Sequence, residues 1–208
     1  YPVLHIPARN AVHWHPRTGH PNLIPSSRAA HVMTIESRQH LLTAQRFRVE
    51  RLRERDGDGQ VREREVVRHP GAVAILPVVD AQHICLIRNW RVAVEETLIE
   101  IPAGTLEPGE DPAECARREL LEETGYRAGS VERVQEFFLS PGILDERMHL
   151  YIATDLTLGD AAREPGERIE NWIVTWDEAI DLAMRGEIRD AKTLAGIFLC
   201  HPRFANAK

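Results

Sequence analysis

The sequence predicts an α+β protein: a mixed sheet with helices packed on it, plus a small N-terminal β subdomain. Three observations point there. Residues 71–79 are apolar almost throughout, as a strand buried on both faces would be. Residues 40–67 alternate apolar and polar side chains around Asp56-Gly57-Asp58-Gly59, whose residues tolerate the positive φ of a hairpin turn. Residues 111–125 carry both a helix-start and a helix-stop signal. No internal repeat is visible, which excludes solenoids and propellers.

Taken in order, residues 1–30 are rich in Pro, His, Asn and Arg and read as an N-terminal arm. His5, His13, His15 and His20 fall there, but no nearby Cys or carboxylate completes a ligand set, so a surface arm is the better account. Residues 31–68 form the hairpin subdomain, with residues 42–53 as one strand around Phe47, Val49 and Leu52, and residues 61–67 as its return. Residues 69–208 form the main domain. Its strands are expected at 71–79, 83–90, 97–101, 131–138, 149–154 and 169–175. Helices are expected at 111–124, 177–185 and 191–200, with Gly186 stopping the second.

The chain has 208 residues, 43% hydrophobic and 28% charged, which excludes disorder over most of its length. A net charge of −6 argues against a general nucleic-acid binder, which needs a basic surface. No apolar run approaches the roughly 18 residues that span a bilayer. The first ten residues lack the basic and apolar regions of a signal peptide, and without an initiator Met the true start is expected to be trimmed. Cys85, Cys115 and Cys200 are odd in number and widely spaced, as reduced thiols of a cytoplasmic protein would be.

The chemistry is concentrated in residues 104–126, GTLEPGEDPAECARRELLEETGY. Asp111 suits the N-cap, Pro112 the first helical position, and Glu114 completes a capping-box pattern. Ala113, Ala116, Leu120 and Leu121 form the packing side. At roughly 100° per residue, Glu122 lies about 60° to one side of Glu119, and Glu123 about 40° to the other. Three carboxylates therefore share one face. Their mutual repulsion stabilises nothing by itself, whereas a hard divalent cation removes it and wants such oxygen ligands. Arg118 is placed to orient one of them. A solvated acidic face is the plain alternative for an isolated cluster of this kind.

The segment also fits the pattern G-x5-E-x7-R-E-U-x-E-E-x-G-U, where U is apolar. Gly104, Glu110, Arg118, Glu119, Leu120, Glu122, Glu123 and Gly125 fall on their positions, and Tyr126 replaces the commoner aliphatic residue at the last. This resembles the Nudix hydrolase box. The resemblance implies an α/β/α sandwich and Mg²⁺-dependent hydrolysis of a nucleoside diphosphate linked to another group, with Mn²⁺ as a possible substitute. By position it makes Glu119 and Glu123 the principal metal ligands and the Ala103 carbonyl another. Glu122 becomes a further ligand or a holder of metal-bound water.

Features outside the box are similar to the ADP-ribose pyrophosphatase branch. Pro141 lies 15 positions beyond Tyr126 in Ser140-Pro141-Gly142, followed by Glu146, although Pro-Gly alone also explains a turn. Arg88-Asn89-Trp90-Arg91 and Glu100-Ile101-Pro102-Ala103-Gly104 resemble the branch's Q-[FY]-R and E-[IL]-P-A-G runs. That implies substrate binding by Arg91, with Arg88 and Glu146 as additional candidates. A guanidinium fork suits phosphate oxygens. The loop Glu164-Pro165-Gly166-Glu167 matches one that carries a catalytic glutamate; Glu167 aligns best and Glu164 is the alternative. Trp90, Phe47 and Arg48 are candidates for contact with a base, against core packing as the default for such aromatics.

The expected function is hydrolysis of ADP-ribose, or a close nucleoside diphosphate sugar, to a nucleoside monophosphate and a sugar phosphate. A GDP-mannose or other nucleotide-sugar hydrolase is the enzymatic alternative, and a non-catalytic regulator that binds such a ligand is the other. Keeping all three glutamates argues against the regulator. The branch also implies a homodimer in which N-terminal β subdomains cross to the partner. Neither nucleic acid nor membrane is an expected partner.

Overall fold

Among the described residues, 33–159 and 169–204, the computed structural model holds three sheets and three helices. Residues 1–32, which take in the expected N-terminal arm, residues 160–168 with Glu164 and Glu167, and residues 205–208 lie outside them. The first sheet is antiparallel, β1 (Thr34–Thr43), β2 (Arg48–Arg55) and β3 (Val61–Arg68) in that order.

The expected two-stranded hairpin is thus a three-stranded sheet, and residues 42–53 are not one strand. The chain turns between β1 and β2, where the Ala44 N–H donates to the Phe47 carbonyl at 2.9 Å. The reason β1 escapes notice is that every residue of TIESRQHLLT is exposed, so burial imposes no period of two. The ladder and charge pairs hold it instead: Glu36 accepts from Arg53 at 3.1 Å and also from Arg55. The second turn forms as expected. Asp56 Oδ1 accepts from the Asp58 and Gln60 amides, and Gly59 takes φ +81°.

The main domain contains β4 (Ala72–Pro77), β5 (His83–Arg91), β6 (Glu96–Glu100) and β7 (Ala103–Thr105). Helix α1 (Pro112–Thr124) follows, then β8 (Tyr126–Phe138), β9 (Arg147–Leu158) and β10 (Ile169–Thr175). Helices α2 (Trp176–Met184) and α3 (Ala191–Phe204) end the described chain. One sheet has the order β7-β4-β9-β8, parallel between β4 and β9 and antiparallel elsewhere; the other is β10-β5-β6, all antiparallel. The mixed sheet with few helices is the expected fold class.

All six residues of β4 are buried, and its two faces serve two cores. Val73 and Ile75 pack with Cys115, Ala116 and Leu120 of α1. Ala72, Ala74 and Leu76 pack on the other side with Leu150, Ile152, Trp176 and Ile197. Full burial of each large aliphatic side chain contributes about 1.5–3 kcal/mol. Helix α3 runs past its expected end at Cys200, in spite of Pro202, because Phe204 stacks on Trp176 with ring centroids 5.3 Å apart.

The outer sheet is tied to the main domain through the Pro141 turn. Val67 N–H donates to the Ile143 carbonyl at 2.7 Å, the Asp145 N–H donates back to Val67 at 3.1 Å, and Arg68 pairs with Asp145. No helix of the described residues is long and apolar enough to cross a membrane.

Candidate active site

Helix α1 is capped by Asp111 and Gly125 as its sequence predicts, but Glu114 stands exposed near Arg117 and does not close the expected capping box. Asp111 Oδ1 accepts from the Ala113 and Glu114 amides, Pro112 takes the first turn, and Gly125 closes the helix at φ +79°. This register turns Cys115, Ala116 and Leu120 to the sheet; Leu121 stays half-buried. It also aims Glu119, Glu122 and Glu123 into a cavity of about 670 Å³, floored by residues 103–108.

Two backbone features fit that floor to the glutamates. A Cβ on Gly104 would lie 1.8 Å from the Glu119 carboxylate, so any larger residue would push that carboxylate out of its present position. One residue earlier, the Ala103 N–H donates to Glu123 Oε2 at 3.1 Å, and Glu123 is 4% exposed. Strand β7, absent from the expected elements, pairs Ala103 and Gly104 with Ala74 and Val73 of β4. The box is therefore braced against the most buried strand of the fold.

Arg118 orients more than one carboxylate. It donates to Glu110 at 3.0 and 3.1 Å, to Glu119 at 2.7 Å and to Glu122 at 3.1 Å. The guanidinium lowers the Glu110 carboxyl to about 2. In return Glu110, foremost, drives the Arg118 pKa up. Burial, with Glu110 beside it, pushes the Cys115 thiol up to about 12, which makes it inert.

The cavity lining is also cationic. Arg91 and Lys192 line the cavity. Glu100, 1% exposed, accepts from Arg91 at 2.7 and 2.6 Å and from Lys192 at 2.6 Å. Burial would raise the Glu100 carboxyl, but Arg91 and Lys192 outweigh it and hold it below the usual range.

Of the sequence-predicted residues, Ala103, Glu119, Glu122, Glu123, Arg91 and Glu146 all line the cavity. Arg88 does not. It projects from the other face of β5, its guanidinium 4.4 Å from the Trp172 ring centre. Trp90 is exposed and also lies outside the cavity wall, as do Phe47 and Arg48, which line a separate neighbouring hollow. Glu164 and Glu167 lie outside the described residues. Sequence reasoning missed Gln45 and Arg46, delivered by the β1–β2 turn, and Lys192. The first two carried no signal. Lys192 carried one: a lone lysine in the first turn of a helix, followed by a largely apolar run to Cys200.

The carboxylates do not converge into a finished metal cage; among the described residues no three His, Cys, Asp or Glu side chains form one. Glu119 and Glu122 lean to Arg118, and Glu123 to the Ala103 amide. The donor set nonetheless fits a hard cation. It is all oxygen and lies on one helix face, and a cation there would compete with Arg118 for Glu119 and Glu122.

This arrangement of a braced carboxylate helix and a cationic wall defines a class. A family model described as NUDIX domain matches residues 68–196. The chain belongs to the Nudix family. It is 42% identical over 142 residues to the ADP-ribose pyrophosphatase of Bacillus subtilis (strain 168), covering 67% of this chain and 77% of that one. It is 38% identical over 154 residues to the GDP-mannose pyrophosphatase of Cronobacter sakazakii (strain ATCC BAA-894), covering 69% and 80%. A solved structure titled as an ADP compounds hydrolase shares the fold at a TM-score of 0.77 and 24% identity, over 87% of this chain and 98% of that one.

Proposed function

We propose that this protein is a pyrophosphatase that hydrolyses ADP-ribose to AMP and ribose 5-phosphate, or a closely related nucleoside diphosphate sugar to the corresponding nucleoside monophosphate and sugar phosphate. The observation that carries this reading is the mixed lining of one cavity: Glu119, Glu122 and Glu123 share about 670 Å³ with Arg91 and Lys192. Glu119, Glu123 and the Ala103 carbonyl would hold Mg²⁺, with Mn²⁺ as a substitute and Glu122 as a further ligand. The ion supplies charge neutralisation and polarises the phosphoryl oxygens. Arg91 binds the substrate phosphates through its free guanidinium edge. Glu146 lines the same cavity and contacts substrate. A carboxylate takes the proton of the attacking water: Glu167, with Glu164 as the alternative on the same loop and Glu122 as the one within the box. Water adds to phosphorus, the bridging P–O bond breaks, and the two halves leave as phosphate monoesters.

The second reading, a GDP-mannose pyrophosphatase, is favoured by the Cronobacter relative. The homodimer is part of the proposal. Its support is that no residue of β1–β3 is buried, while Met33, Ile35, Leu42 and Phe47 stand exposed. Cytoplasmic residence is supported by three buried, unpaired cysteines. A panel of nucleoside diphosphate sugars with Mg²⁺, scored for phosphate monoester products, tests the function. ADP-ribose should be turned over best. Faster turnover of GDP-mannose would select the second reading, and hydrolysis of none would overturn both.

A further inference from the structure

The geometry points to Glu100 as a positioning residue that sets the phosphate-binding wall, an inference that rests on the diphosphate reading of the cavity. Glu100 is the last residue of β6 and is buried at 1% exposure, where an ionised carboxylate persists only if it is fully partnered. Its two oxygens are taken by two cations. Arg91 donates Nε to Oε1 and Nη2 to Oε2 at 2.7 and 2.6 Å, a two-point fork that fixes the guanidinium plane. Lys192 reaches Oε2 at 2.6 Å. Both cations line the cavity, while Glu100 does not. Arg91 Nη1 donates to none of the described residues, so the fork leaves an N–H edge free for phosphate.

The clamp is closed on the far side. Lys192 Nζ lies 3.0 Å from Asp190, and Asp190 Oδ2 accepts from the Thr193 amide at 2.9 Å and from the Thr193 hydroxyl. The Thr193 hydroxyl accepts from the Ile101 N–H at 2.8 Å, next to Glu100 itself. A ring of contacts therefore joins β5, β6 and the first turn of α3. Without Glu100 the long Arg91 side chain would have to be ordered by the substrate alone, at the cost of its rotamer freedom.

The test compares Arg91→Ala, Glu100→Gln and the double variant, using α,β-methylene-ADP with Mg²⁺, a nucleoside diphosphate whose bridging atom does not hydrolyse. Binding is read by titration calorimetry, beside KM and kcat for ADP-ribose. Each single variant should weaken binding about tenfold or more, raising KM more than it lowers kcat. The double variant should lose less than the sum of the two single losses, because Glu100 acts largely through Arg91. Additive losses, or parent-like binding by Glu100→Gln, would overturn the role. If Glu100→Gln does not fold, Glu100→Gln with Lys192→Met keeps the buried charges balanced and undergoes the same comparison. A parent that binds the analogue but leaves ADP-ribose uncleaved overturns the proposed function and not the clamp. A parent that does not bind the analogue overturns the clamp.

Discussion

The outer sheet and β4 are both built from strands, yet they persist for opposite reasons. No residue of β1, β2 or β3 is buried, and their side chains are laced by charge pairs such as Arg53–Glu36, Arg51–Glu65 and Arg64–Glu54. Every residue of β4 is buried, packed between two cores. Exposed ion pairs contribute at most about 1 kcal/mol each and are screened by salt, whereas one buried aliphatic contributes more alone. Strand formation therefore says little about stability until the faces are known. The site follows the second region: its floor is hydrogen-bonded to β4, and the outer sheet lends it only the turn residues Gln45 and Arg46.

The largest effect should come from the floor. Glu123→Gln keeps the Ala103 hydrogen bond within reach but removes a ligand charge, so kcat should fall by about three orders of magnitude, or about 4 kcal/mol of barrier. Circular dichroism should still show the folded state. Turnover near that of the parent in a folded variant would mean that the braced wall is not where the reaction happens.

The same truncation made in both regions tests the contrast itself. Leu76→Ala should lower the unfolding free energy by about 2–5 kcal/mol in denaturant titration. Leu42→Ala, on the exposed sheet, should change it by less than about 0.5 kcal/mol in dilute protein. A cost for Leu42→Ala that grows with protein concentration would show that a second copy covers this sheet. Equal costs in dilute protein would erase the distinction.

The smallest expected effect concerns charge pairs. Glu110 is held at about 2 against a usual value of 4.5, chiefly by Arg118. A lowered carboxyl adds stability above its unfolded pKa and loses it as pH falls through the folded one. Stability from this pair is thus complete above about pH 5 and drains away between 4.5 and 2. The Tm of Glu110→Gln should accordingly fall less steeply than the parent's across that window, and the two curves should converge near its acid end. Glu36→Gln removes a pair on the outer sheet, and molar salt should largely abolish its effect. Salt-insensitive behaviour of Glu36→Gln would place the two sheets on the same footing.

Much of the site was legible because local chemistry wrote it. Asp111, Pro112 and Gly125 frame α1, and its register follows from the helical period, so Glu119, Glu122 and Glu123 could be placed on one face before any tertiary contact was known. What stayed hidden was long-range or periodic in a way that was not applied. Glu100 and Lys192 meet across most of the domain, and no local signal pairs them. Strand β1 has no buried face to imprint a pattern. Strand parity separates Arg88 from the cavity: residues 88 and 91 lie an odd number apart on one strand and so face opposite ways. Gly104 was read as a pattern position; the space it leaves for the Glu119 carboxylate supplies the reason.

The parallel pairing of β4 with β9 has a consequence for how the protein comes into being. Ala72 pairs with Met148, and the intervening chain contains both β7 and the whole of α1. Such a long loop must close before either partner is rewarded, which makes this step slow by the standards of local hairpins. The core beneath α1 includes Tyr151 and Ala153 of β9 as well as Val73 and Ile75 of β4, so the helix is fully backed only when that closure occurs. On the ribosome the chain emerges N-terminus first, so the outer sheet and α1 are exposed while β9 is still unmade. The carboxylate wall therefore lacks part of its backing until β9 has been synthesised and has inserted beside β4. If that wall holds the proposed divalent cation, its binding during refolding should track the slow phase and not the early collapse.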